Sequence, residues 1–296
     1  MTPSKPVASA FVPRGVHYML ISALGFALMS ATVKYVSEYG IPVFEIVAAR
    51  ALVSFVLSYM DVKRKGLSVW GNNRPLLFAR GLVGTLALFC VYYAVTTLPL
   101  AEATILQYVH PLFTAVIAYL FLKESIQAST LMSICLSIIG VAVMVYPNWD
   151  SSIAADLPLF SVWVALLGAL GSSVAYVIVR KLSRTEDPSV IIFYFPLVAL
   201  PVSLFAIGDD FVMPSALITL MLVLVGIFTQ VGQLGLTKAM QTEAAGKASA
   251  YSYIQIVFSA LLGVVIFGEL PTIWTIIGGG LIVSGALVNL FWKNRN

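Results

Sequence analysis

Charge is scarce in this chain. Only 10% of its 296 residues are Asp, Glu, Lys or Arg, against about 25% in a soluble domain, so it cannot cover a surface that faces water all round. Cysteine is nearly absent: Cys90 and Cys135 both stand inside apolar runs. They read as small buried side chains, and two of them provide neither a disulfide framework nor a metal site. Histidine is limited to two residues, no HExxH occurs, and no acidic residue falls at the middle of an apolar run. An integral-membrane enzyme would need clustered acid–base or metal-ligating groups, and a cofactor is not implied. The polar–apolar alternation in segments of about ten that marks a membrane β-barrel is also missing.

What is present is apolar sequence. Hydrophobic residues make up 60% of the chain and the mean hydropathy is +0.97. Apolar stretches of 18 or more residues recur about every 30 residues, long enough as helices to cross a bilayer core of about 30 Å. The fold class is all-α: a polytopic membrane protein with ten transmembrane helices, expected over 16–35, 41–60, 75–97, 101–122, 128–146, 159–180, 189–207, 215–240, 246–267 and 273–292. Lys5 and Arg14 before the first run superficially resemble a signal peptide, but no small-residue cleavage site follows, and a retained first helix is expected. The hydrophilic break at 147–158 divides the chain into residues 1–149 and 150–296, five spans each.

Orientation follows from the lysines and arginines. With a cytoplasmic N-terminus, all 17 fall on the cytoplasmic side except Lys34, which is outside, and Arg50 and Arg80, which lie within spans. Both termini are therefore expected inside. The isoelectric point near 9.0 reflects this loop bias and gives no reason to expect a nucleic-acid partner.

One stretch is said twice. Residues 94–124 align without a gap on residues 239–269, at an offset of 145. Seven positions are identical, among them Tyr108/Tyr253 and Glu124/Glu269. Polarity also matches inside the two apolar runs: Thr104 falls on Ser249, Gln107 on Ser252, His110 on Gln255 and Thr114 on Ser259. On an unbroken helix these four positions share an arc of roughly 120°. Five spans per copy is an odd number, so the copies must be inverted in the membrane. Glu102 aligning with Lys247, and Lys123 with Gly268, fits copies that face opposite sides. Inverted repeats are a recurring construction of alternating-access carriers, although fold alone does not fix function.

The run at 74–124, with its "YYA…LPLAEA", Pro111 and "FLKE", followed by "ICLSIIGVAVMV", resembles the EamA repeat of the drug/metabolite transporter superfamily. The second copy keeps the Ala, Phe and Glu landmarks and Gly285 but has Ile256 at the proline position. The resemblance covers essentially the whole chain. It implies a ten-helix, five-plus-five carrier of small metabolites in a bacterial cytoplasmic (inner) membrane, with a central cavity lined by spans 1, 3, 4, 6, 8 and 9. Amino-acid or metabolite export is the expected activity. Import of a nucleoside-like solute such as S-adenosylmethionine is the alternative, and a channel or integral-membrane enzyme the reading from another class. The partners are a small-molecule solute and the lipid bilayer, with a monomer or homodimer as the assembly.

Polar groups inside apolar spans are expensive unless they meet a partner or a cavity. The substrate-binding candidates are accordingly His110, Gln107, Thr104 and Thr114 on one polar stripe, with Gln255 and Ser252 on its mate. Helix–helix hydrogen bonding is the competing role for each. Tyr108 and Tyr253 sit one residue off the stripe, and Tyr92 and Tyr176 offer aromatic walls. Gln230 and Gln233 share a face in an otherwise apolar span. Arg50, deep in span 2, reads as structural, paired with carbonyls or a carboxylate. Arg80 sits near enough to an end to snorkel. Glu124 and Glu269, at span ends, read as gate or helix-end contacts, and Pro111 as a hinge. Ser172 and Ser173 read as close-packing residues.

Overall fold

A computed structural model describes residues 14–123, 128–146, 158–242, 248, 252 and 254–291. All regular structure among them is helical: α1 (Arg14–Ser37), α2 (Val43–Arg64), α3 (Arg74–Thr97), α4 (Leu100–Gln107), α5 (His110–Leu122), α6 (Ala128–Val145), α7 (Leu159–Leu182), α8 (Pro188–Ile207), α9 (Ala216–Thr242), α10 (Ile254–Phe267) and α11 (Ile273–Phe291). The starts follow local chemistry. Asn73 Oδ1 accepts from Leu76 N ahead of α3, and Asp187 Oδ1 from Ser189 N ahead of α8, each with a proline in the first turn whose missing amide is no loss there.

Seven of these segments are long and apolar enough to cross a membrane: α1, α2, α3, α4 with α5, α7, α8 and α9. Shorter apolar stretches lie in α6, α10 and α11. The distribution of polarity is inverted relative to a water-soluble protein. Phe205 and Trp163 are exposed, whereas Arg50, Arg80, His110 and Gln255 are buried, as expected where lipid rather than water is the outer solvent.

The expected fourth span, 101–122, is not one helix. It breaks at Tyr108–Val109 into α4 and α5. Pro111 explains the break, because it has no amide to give to the Gln107 carbonyl. The chain closes α4 with tightened bonds instead: Tyr108 N reaches the carbonyls of Thr104 and Ile105, and Val109 N that of Leu106.

Packing is between distant segments. α3 lies against α7 and α8, α9 against α1 and α2, α2 against α8, and α6 against α11. α1 meets α10, while α7 meets α4 and α5, and α4 meets α10. The centre of this arrangement is where the buried polar groups gather.

Candidate functional site

On an unbroken helix Gln107, Tyr108 and His110 would spread over an arc of about 160°. The α4–α5 break brings all three to one wall of a central cavity. Gln107 Nε2 donates to Ser172 Oγ at 2.8 Å, tying α4 to α7. The Tyr108 hydroxyl donates to Gln255 Oε1 at 2.6 Å, tying the break to α10. The His110 ring meets Tyr176 edge-on at 4.8 Å and tilts against Tyr108 at 5.2 Å. His110 Nδ1 and Gln107 Oε1 have no hydrogen-bond partner among the described residues. Phe26, Met29 and Ser30 of α1 and Gln233 of α9 complete much of the wall.

Two guanidiniums also face this space. Arg50, from α2, is 2% exposed, with Cζ 4.8 Å from the centre of the Phe195 ring and 5.5 Å from that of Tyr92. Arg80, from α3, is 4% exposed, with Cζ 5.5 Å from the same Phe195 ring and Nη2 3.4 Å from Gln233 Oε1. The one ring of Phe195 therefore serves both cations. Gly84, one turn beyond Arg80, leaves the room: a Cβ there would stand 2.2 Å from Arg80 Nη1. Thus Arg80 does not snorkel but turns inward, where a hole and an aromatic face receive it. Arg50 makes neither of the expected pairings with a carbonyl or carboxylate among the described residues. Glu45 instead accepts from Val212 N at 3.0 Å.

Beyond one end of the α1 wall stands a charge pair. Lys34, four residues beyond Ser30 and so about 6 Å further along α1, donates to the Leu98 carbonyl at 3.0 Å and is ion-paired with Glu269. Glu269 also accepts from Leu100 N at 2.9 Å, so α1, α3, α4 and the end of α10 meet at this carboxylate. Gly268, at φ +66°, makes the turn that brings Glu269 back over its own helix. At the other end, Lys65 after α2 reaches Asp187 at 3.1 Å and Ser189 at 2.6 Å at the start of α8. Glu186 accepts from the amides of Asn72 and Asn73.

Burial works against charge on both Lys65 and Asp187. The hydrogen bonds between them, with Asp61 also bonding Lys65 and Ser189 N bonding Asp187, outweigh it: Lys65 is held above its ordinary pKa and Asp187 below its own.

The sequence candidates divide accordingly. Thr104, Gln107, Tyr108, His110, Tyr176, Gln233, Gln255 and Arg50 line the cavity. Thr114 does not line it, and its hydroxyl returns to the His110 carbonyl at 2.8 Å, as that of Thr104 returns to the Leu100 carbonyl at 2.7 Å. Ser252, Gln230 and Tyr92 are buried but lie off the cavity wall, Tyr92 standing behind Arg50. Pro111 shapes the wall from the first turn of α5, and Glu269 lies off the wall, paired with Lys34. Tyr253 and Glu124 lie outside the described residues. Sequence reasoning missed Arg80 and Phe195 as wall residues and assigned Ser172 to packing. An arginine with a glycine four residues on was a usable signal for the first.

Comparison with known proteins agrees with this architecture. Residues 13–146 and 159–291 match the EamA-like transporter family. The pseudopaline exporter CntI of Pseudomonas aeruginosa is 34% identical over 276 residues, covering 92% of this chain and 94% of its own. Solute carrier family 35 member G1 of Mus musculus is 31% identical over 281 residues, covering 91% and 76%. A crystal structure 21% identical, covering 94% of this chain and 98% of that one, superposes with a TM-score of 0.71, a likeness of fold alone. With its buried polar cavity and its match along both stretches, the chain belongs to the EamA-like transporter family.

Proposed function

We propose that this transporter is a secondary carrier that moves a small metabolite across the cytoplasmic membrane by alternating access, in the direction of export. In this reading the chain crosses ten times, residues 1–149 and 150–296 form two inverted copies, and both termini are cytoplasmic. The observation that carries it is the cavity itself, walled by residues of α1 to α5 from one half and of α7 to α10 from the other.

The packing supports the duplication. Exchanging α1 with α7, α2 with α8, α3 with α9, α4 and α5 with α10, and α6 with α11 returns the most extensive pairings: α1 with α9 becomes α7 with α3, α2 with α9 becomes α8 with α3, and α5 with α7 becomes α10 with α1. Individual contacts exchange too. A Cβ on Gly81 would meet Val198 at 2.7 Å, and one on Gly226 would meet Val53 at 2.4 Å; Gly226 and Val198 stand 145 residues after Gly81 and Val53. Two copies of one fold with reciprocal interfaces have two arrangements of similar energy, which is what inward- and outward-open states require.

The lysine and arginine bias puts the Lys34–Glu269 pair at the outer end, so the cavity is closed to the outside here. Export finds support in the relative named for exporting pseudopaline. Import of a nucleoside-like solute such as S-adenosylmethionine is the alternative, and neither of the two relatives named above carries that activity in its name. The test is counterflow in proteoliposomes. A carrier saturates and its uptake is accelerated by solute on the far side, whereas linear, non-saturating flux would make the cavity a channel.

A further inference from the structure

We propose that the cargo carries an oxyanion, a carboxylate or a phosphate, and that Arg50 and Arg80 clasp it beside Phe195; this rests on the cavity being the transport site. Three observations converge on it. Both guanidiniums are buried in the cavity wall, and the Nε and Nη1 atoms of each have no hydrogen-bond partner among the described residues. No Asp or Glu is among the described residues of the wall. The buried carboxylates nearby are already engaged elsewhere: Glu45 with Val212 N, Glu102 with Thr275 and Glu186 with Asn72 and Asn73.

Two unneutralised cations within a membrane protein need an explanation. The Phe195 and Tyr92 faces offset part of the penalty for removing them from water, and Gln233 contributes one long hydrogen bond. Neither supplies a negative charge. An arginine fork presents paired donors that match a carboxylate or phosphate edge. With two forks about one ring, the ligand's anionic end goes between α2 and α3. Its body then lies toward Tyr108, His110 and Tyr176, whose rings and unpartnered Nδ1 suit an apolar or planar remainder with a hydrogen-bonding group.

An empty pair of like charges is a ligand site at the expense of stability, and this separates the proposal from a structural role. Replacing one guanidinium should relieve repulsion in the ligand-free protein while abolishing ligand stabilisation.

The experiment measures thermal unfolding of the purified full chain with matched solutes: benzoate against benzamide, and glycerol 3-phosphate against glycerol, with spermidine as the cationic control. The expected result is a rise in melting temperature with benzoate, with glycerol 3-phosphate or with both, and none with the uncharged or cationic solutes. Which arm responds distinguishes carboxylate from phosphate. Arg80→Gln should lose the response tenfold or more in half-maximal concentration while melting no lower than the parent without ligand. Gly84→Ala, which displaces the Arg80 head without removing it, should weaken the response in the same direction.

Equal stabilisation by charged and uncharged partners would overturn the proposal. So would no response to either anion, or an anion response unchanged in Arg80→Gln and Gly84→Ala. Counterflow of the same solutes keeps the two readings apart. An anion that stabilises through Arg80 but is not carried leaves the site and removes the carrier. Saturable counterflow of a neutral or cationic solute, indifferent to Arg80→Gln, leaves the carrier and removes the anion site.

Discussion

At Tyr108 a single hydroxyl joins the α4–α5 break to α10, across the interface between the two halves. Tyr108→Phe removes that 2.6 Å bond and strands Gln255 Oε1, a loss of about 1–2 kcal/mol for a buried pair. Thermal unfolding of Tyr108→Phe, Gln255→Ala and the double variant should show clear non-additivity, because the two residues share one interaction. Additive losses would mean that the side chains act separately. In transport, His110→Ala and Gln255→Ala should each lower the rate without lowering the amount of protein in the membrane. Unchanged kinetics in both would remove them from the solute path.

These residues were legible in sequence because an amide, imidazole or phenol inside an apolar run must find a partner or a cavity. Thr104 and Thr114 obeyed the same argument less strictly: each satisfies its hydroxyl on the carbonyl four residues back, and only Thr104 lies on the cavity wall. Phe195 gave the opposite difficulty: one aromatic ring in the apolar stretch of α8 looks like any other until two arginines are seen around it.

At the scale of the element, the ends of the helices carry the charges that the spans avoid. Glu269 gathers α1, α3 and α4 at one end, and the Lys65–Asp187 pair fastens the end of α2 to the start of α8 at the other. The second contact has a pH dependence whose sign is fixed by its shifts. Asp187 is depressed, so its contribution is present above the ordinary carboxylate range and disappears as pH falls through the lowered value. Lys65 is raised, so its contribution holds below the ordinary lysine range and is lost as pH rises through the raised one. The contact therefore stabilises the fold across neutral pH and fails in acid.

Both side chains are about a third exposed, 35% and 33%, so solvent screening keeps the contribution below about 1 kcal/mol. Asp187→Asn should unfold slightly earlier than the parent at pH 7, and the difference should shrink toward zero in acid. A difference that grows on acidification would contradict the assignment. The helices themselves were readable to within a few residues from apolar length, except that the described helix within the expected 246–267 starts only at Ile254. The division of 101–122 was not, because Pro111 signals a kink without saying whether the helix bends or stops. Here the carbonyls of Thr104, Ile105 and Leu106 take the local amides and the helix stops.

Over the whole molecule, the duplication at an offset of 145 was the most informative feature of the sequence. It pointed to two facing halves, and the reciprocal contacts of Gly81 with Val198 and Gly226 with Val53 follow the same offset. What no periodicity could state is how the halves close on each other: that Arg80 turns inward, or that Lys34 and Glu269 meet across α1 and α10. Those depend on distant segments, and such contacts leave no local mark.

The central claim is a cavity open to one side of the membrane at a time. It is tested most directly with a single cysteine at Ser30, buried in the cavity wall, in a chain whose native Cys90 and Cys135 are replaced by alanine. An impermeant thiol reagent is applied to right-side-out and to inside-out vesicles. Ser30→Cys should resist labelling from the outside while Lys34 and Glu269 are paired, and Lys34→Ala should make it reactive from that side. Equally fast labelling from both faces of the parent, or an outer face as closed in Lys34→Ala as before, would contradict the account.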